Sequence, residues 1–214
     1  MELPIFPLNT VLFPGARLPL HIFEERYKRM INECIDERRP FGVCLIREGK
    51  EAGAPAGEPF PTGTTAHIRE VQRLDDGRLN VVCMGGERFS ITAIEQQTPY
   101  LIAEVQGLRQ ERSETTDKAE TAAALFAEYV RLNLAMTNQW ARNIEMPTEP
   151  GTLADFIGSR LAVDVMTKQR LLEQLSAERR LEAEIEILAR AIALLENHVK
   201  VARSARWQTL TVLN

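Results

Sequence analysis

Three histidines, His21, His67 and His198, and three cysteines, Cys34, Cys44 and Cys83, are the side chains best suited to metal binding or nucleophilic chemistry. A metal site needs several convergent ligands in fixed geometry. No histidine here has a second histidine at i+4 or a cysteine close in sequence. The cysteines are odd in number, lack short pair spacing and sit among apolar neighbours, which argues against a disulfide framework or a zinc site. They read as buried reduced thiols, each acting as a small hydrophobe. Ser90, Ser113, Ser159, Ser176 and Ser204 lack the context of a nucleophile elbow. The carboxylate pairs Glu24-Glu25 and Asp75-Asp76 read as helix surface and turn chemistry. The residues therefore point away from catalysis, metals and cofactors, and toward binding.

The composition bounds what is bound. A chain of 214 residues makes one large domain or two small ones. It buries roughly 70% of its unfolded surface, enough for an unaided core. Thirty acidic against 26 basic side chains leave a net charge of −4. That balance disfavours a general phosphate-binding surface, whose affinity rests on Lys and Arg releasing counterions, and leaves room only for a local basic patch. No apolar run approaches the ~20 residues that cross a bilayer. The start lacks a basic region followed by an apolar one, so a signal peptide is not expected. The expectation is a cytoplasmic protein.

The first hundred residues read mainly as strands. Pro4, Pro7 and Pro19 lie in short apolar segments, which predicts edge strands or irregular pairing. Phe23, Tyr27, Met30, Ile31 and Cys34 recur at helical spacing and predict one amphipathic helix over 23–35. Its polar face offers Glu24 with Lys28 and Glu25 with Arg29 as acid-before-base pairs. The apolar run 41–46 suits a strand covered on both faces. Residues 48–63 read as a long surface loop. Strands follow at 64–74, 78–84, 88–94 and 100–105, with Asp75-Asp76-Gly77 as a hairpin turn and Gly85-Gly86 as a bend.

After a polar linker at 111–116 the pattern turns helical. Asp117 with Glu120 forms a capping pair, and Leu125, Tyr129, Leu132, Met136 and Trp140 form an apolar stripe. Thr152 and Thr167 are expected to cap two further helices. Leu181, Ile185, Leu188, Ile192, Leu195 and Val199 alternate at four and three residues. That seam suits packing within the chain's own bundle or a homodimer through the C-terminal helix. Residues 207–213 read as a late strand or a frayed tail.

Four blocks resemble the Lon protease substrate-binding domain. They are the opening from Leu3 to Leu20 with Glu25 and Arg26, the stretch from Gly63-Thr64 to Arg88-Phe89, the segment Glu128 to Asn133, and Pro150 to Asp155 with Lys168 to Glu173 and Arg180 to Glu182. The resemblance implies an α+β fold: an N-terminal PUA-like antiparallel β-barrel with one inserted helix, followed by a C-terminal helical bundle. The expected boundaries are 1–110 for the barrel, 117–200 for the helical subdomain and 201–214 for a tail. No Gly-x-x-x-x-Gly-Lys-Ser/Thr stretch occurs, so the cradle that holds ATP phosphates is missing. Nothing after Asn214 supplies Lon's Ser-Lys protease pair. The chain is thus similar to the stand-alone Lon-domain proteins, and it is not expected to be an enzyme.

The resemblance implies a module for extended or partly unfolded polypeptide, working as an adaptor in proteolysis or quality control. An incompletely closed barrel leaves backbone donors and acceptors beside an apolar floor, where a peptide adds as a strand. Glu25, Arg26 and Arg29 are the candidate polar contacts at its rim; their plainer reading is a solvated helix face with ordinary ion pairs. The alternative is RNA binding, since PUA-like barrels also occur in RNA-binding proteins, with Lys200, Arg203, Arg206 and Trp207 as phosphate and base contacts.

Overall fold

The computed structural model describes residues 1–50, 57–111, 116–137, 139–140 and 143–211, with residues 116 and 198–211 as backbone alone. Parts of the expected 48–63 loop and of the 111–116 linker lie outside the described residues, as do the side chains of His198, Lys200, Arg203, Arg206 and Trp207. The chain forms two compact units: Met1–Glu111 with Gly158–Leu175, and Arg112–Ile157 with Ser176–Asn214.

The first unit holds six strands: β1 (Glu2–Leu8), β2 (Arg17–Ile22), β3 (Phe41–Glu48), β4 (Glu58–Arg73), β5 (Leu79–Gln96) and β6 (Leu101–Gly107). Helix α1 (Glu25–Asp36) lies between β2 and β3. The order β2-β5-β4-β3-β1-β6, with a further β5–β6 pairing, closes five strands into a barrel and leaves β2 as an appendage of β5. β2 pairs with Leu79–Met84 of β5, and β6 pairs with Phe89–Gln96. Since β4 occupies the other edge of β5 from Leu79 to Ser90, overlapping both stretches, β2 and β6 lie end to end on one edge. The pairing of β1 with β3 is parallel, made feasible by the long crossover through β2 and α1.

The expectation of edge strands or irregular pairing divides between the prolines. Pro19 lies on β2, an edge strand, whereas β1, with Pro4 and Pro7, has a partner on each side and meets them in staggered register. A proline lacks the N–H that a doubly bonded antiparallel pair exchanges. Pro4, opposite Ile102, must therefore be a non-bonded pair, and the bonds to β6 fall at Leu3 and Ile5. Odd residues of β1 thus face β6 and even ones face β3. The β6 register ends at Ile5 and the β3 register begins there, so the missing N–H of Pro4 falls before the β3 register and that of Pro7 beyond the β6 register. The two neighbours are staggered, and the prolines sit where the stagger leaves them harmless.

The hairpin at Asp75-Asp76-Gly77 forms as expected, with Gly77 at φ +79 and its N–H bonded to Leu74 O at 2.9 Å. Gly85-Gly86 is no bend. β5 continues through it, with a register shift against β4 between Gly85 and Arg88, and the glycine serves close approach: a Cβ on Gly85 would lie 2.1 Å from Phe13 O. Phe6, Leu8, Ile22, Tyr27, Met30, Ile31, Phe41, Leu79 and Val81 share the main core with α1. Phe23 belongs outside it. It precedes α1 and is 54% exposed, against the expectation of a buried stripe position.

Helix α3 (Pro150–Arg160) leads back to the first unit, where α4 (Val165–Glu173) packs. The buried Arg88 donates from Nε to Leu172 O at 2.9 Å, and Gln169 donates to Thr62 O at 3.1 Å. Both caps differ from expectation. Asp164, three residues before Thr167, accepts the Thr167 N–H. Glu149 accepts the N–H groups of Gly151 and Thr152 at 3.0 and 2.6 Å, with Pro150 at the first helical position. A carboxylate just before the helix outcompetes the threonine inside it.

The second unit pairs α2 (Thr116–Met136) with α5 (Ala177–Thr211). The buried face of α2 is Ala119, Ala122, Phe126 and Tyr129, while Met136 and Trp140 are exposed. Of the expected stripe, Tyr129 is buried and Leu125 and Leu132 are half-buried. Phe126 meets Phe156 edge-on at 5.7 Å. Along α5, Leu181 and Leu188 are buried and Ile185 is half-buried. The backbone stays helical to Thr211, so residues 207–211 of the expected late strand or frayed tail form helix, and the rest lies outside the described residues. Arg180 is fully buried, bonded to Gly151 O at 3.4 Å and 3.7 Å from Asp155.

Candidate functional site

A pocket of about 430 Å³ lies between β1, β2 and the start of α1. Phe6 and Leu8 line one side, Pro19 to Ile22 the other, and Phe23, Glu24 and Tyr27 complete it. Its floor is apolar because Phe6, Leu8, Ile22 and Tyr27 are core residues, with the Phe6 and Tyr27 rings 4.1 Å apart. Its mouth carries exposed Phe23, whose ring lies 6.2 Å from His21.

The wall formed by β2 is an open backbone edge, because among the described residues β2 pairs with β5 alone. Pro19 is opposite Val82, and the reasoning used for Pro4 applies again. The doubly bonded pairs must be Leu18–Cys83 and Leu20–Val81. The backbone groups of Arg17, Pro19 and His21 therefore point outward, to the unpaired edge. The β2 side chains alternate accordingly, with Arg17, Pro19 and His21 exposed and Ile22 buried.

The three candidate side chains on α1 fall in different places. Arg26 is not a lining residue but contacts two that are: its guanidinium lies 4.4 Å from the Tyr27 ring centre and its Nε donates to Glu24 at 3.1 Å. Glu25 and Arg29 do not line the pocket. Glu25 pairs with Lys28, and Arg29 pairs with Glu33 at 2.8 Å, replacing the expected i,i+4 pairs. Phe6, Leu8 and Phe23 are the residues the sequence reading missed at the site. The available signal was Phe23 itself, a large apolar residue adjoining the first turn of α1 where the helix has not yet begun.

Burial pushes the Cys34 thiol up to about 11 and Cys83 up to about 12, and raises Cys44 further. All three are buried, protonated at neutral pH and poor nucleophiles. His21 engages Asn80 at 2.8 Å. Among the described residues no group of three or more His, Cys, Asp or Glu side chains is placed to hold a metal. Among the described residues no helix is long and apolar enough to cross a membrane.

Comparison with known proteins identifies the family. Residues 2–190 match the family model described as the ATP-dependent protease La (LON) substrate-binding domain. The Lon protease of Anaeromyxobacter dehalogenans is 28% identical over 205 residues, covering 93% of this chain and 24% of that protein. Lon protease 2 of Herpetosiphon aurantiacus is 30% identical, covering 92% of this chain and again 24% of the relative. The chain thus spans about a quarter of the curated relatives' length, at their substrate-binding domain. In structure it is similar to the Lon N-terminal domain protein of Xanthomonas campestris, with TM-score 0.63 and 24% identity over 86% of this chain and 96% of that one. The N-terminal domain of the Mycobacterium avium complex Lon protease gives TM-score 0.61 at 23% identity, over 88% and 98% of the two chains. Both likenesses show a common fold, α+β. With a family model matched from residue 2 to residue 190, the chain belongs to the Lon substrate-binding domain family.

Proposed function

We propose that this protein binds extended or partly unfolded polypeptide by adding it as a strand to the open edge of β2, without chemistry of its own. The observation that carries the reading is the union of an unpaired backbone edge with an apolar pocket at one place. Main-chain bonds along such an edge supply affinity for any extended chain, and the adjoining pocket selects side chains. Family membership supports a polypeptide as the occupant. A role as an adaptor in cytoplasmic proteolysis or quality control follows from the same reading, since binding without turnover hands a chain to another machine. Homodimerisation through α5 remains a separate proposal, tested by sedimentation at increasing concentration.

The test is fluorescence anisotropy of labelled, reduced and carboxymethylated lactalbumin, a permanently unfolded chain, titrated with this protein at low and high salt. Saturable binding below ~100 µM, about 5.5 kcal/mol, that survives added salt is expected. Binding that collapses with salt would instead favour the RNA-type reading, since phosphate contacts are lost as counterions return. Phe23→Ala is expected to weaken polypeptide binding by about tenfold, because an exposed aromatic at a pocket mouth is a typical anchor. It should leave the melting temperature nearly unchanged, as the ring contributes little to the core. Unaltered affinity in Phe23→Ala would remove the pocket from the site, and an unaltered Arg26→Ala/Arg29→Ala variant would remove those two residues.

A further inference from the structure

We propose that Pro19 sets the register and the affinity ceiling of the site, by withholding one donor from the ladder that an incoming strand would form on β2. The inference rests on the polypeptide reading above and deepens it. Three residues turn their backbone to the open edge, Arg17, Pro19 and His21, because the Pro19–Val82 position cannot be a doubly bonded pair. The edge therefore offers carbonyls at all three positions but N–H groups only at Arg17 and His21. An incoming antiparallel strand exchanges both bonds opposite Arg17 and opposite His21. Opposite Pro19 it donates its N–H to the Pro19 carbonyl and receives nothing.

The opposite wall of the pocket has the same property. Pro7 of β1 faces the side that β6 has vacated, and its neighbours Phe6 and Leu8 line the pocket that Pro19 to Ile22 line from across. Each wall thus presents a proline where a donor would otherwise stand. Prolines on edges are a recurrent device against uncontrolled strand pairing. Here they stop either wall from forming an uninterrupted ladder, and so favour release of a bound chain over its retention.

Restoring the donor should tighten the complex. One further hydrogen bond raises affinity by about threefold to tenfold. Wild type, Pro19→Thr and Pro19→Ala are titrated into the same labelled, carboxymethylated lactalbumin, with melting temperatures measured in parallel. Both variants restore the N–H, and alanine does so without a strong strand preference, so agreement between them isolates the donor. Tighter binding by both is the expected result. Wild-type binding that neither variant improves, or that both weaken, would overturn the role of Pro19 while leaving the polypeptide reading standing. No binding by the wild type would overturn that reading, and this inference with it.

Discussion

Raising the pH from about 8 to about 10.5 is expected to lower the stability of the first unit by on the order of 5 kcal/mol. Three buried groups produce the effect. Cys34 is held up at about 11 and Cys83 at about 12, against 9.0 for a free thiol, chiefly by burial. Tyr100 is held at about 12 against 10.0, by burial first and then by its hydrogen bond to the Glu33 carboxylate. In the unfolded chain these groups release their protons as pH rises through 9 and 10, while the folded unit retains them to about 11 or 12. The folded state then binds more protons, so stability is fully present below pH 9 and declines through this window. Each group contributes a slope of about 1.4 kcal/mol per pH unit between its two values. Urea midpoints across the range measure the loss. Cys34→Ala/Cys83→Ala should be less stable at neutral pH but flatter against pH; an equally steep profile would contradict the assignment. The same buried thiols are what make a nucleophilic role for cysteine untenable.

Arg180→Ala is expected to destabilise the second unit by about 3–5 kcal/mol, the range found when one partner of a buried ion pair is removed. Arg180 has no exposed surface, and Asp155 and Glu184 beside it in the fold or along the helix are buried as well. Deleting the cation leaves carboxylates in a medium that solvates them poorly. Arg180→Met separates charge from volume, since it keeps most of the side chain's bulk. It should be nearly as destabilising as alanine. A methionine tolerated within ~1 kcal/mol would mean that Arg180 merely fills space.

Local features of the fold were legible in the sequence. The apolar period of α1 runs from Tyr27 to Cys34, and all four of its buried positions follow it. The turn at Gly77 needed only a residue tolerant of positive φ, and β3 needed only a continuous apolar run. What was not legible depends on distant partners. Pro4 and Pro7 look incompatible with an interior strand until the stagger of β3 and β6 is known. Gly85-Gly86 looks like a turn until Phe13 O is found against Gly85. The caps were misplaced by a few residues because Glu149 and Asp164 compete with Thr152 and Thr167 for the same N–H groups.

The site divides in the same way. The Pro-rich opening led to an incompletely closed barrel beside an apolar floor, whereas five strands close and the open edge belongs to β2, appended to β5. Arg26 meets the pocket only through Glu24 and Tyr27. The edge that matters, however, is chosen by β5. Its length lets it carry β2 and β6 in tandem, and only the β2 half leaves a backbone edge open. Nothing local to residues 17–22 reveals that pairing.

Residue-resolved amide hydrogen exchange tests the central claim most directly. The N–H groups of Arg17 and His21 face the open edge, while those of Leu18 and Leu20 are bonded to β5. Adding saturating carboxymethylated lactalbumin should slow exchange at Arg17 and His21 while leaving the already protected Leu18 and Leu20 little changed. Saturable binding with Arg17 and His21 exchanging as fast as before would contradict strand addition at β2.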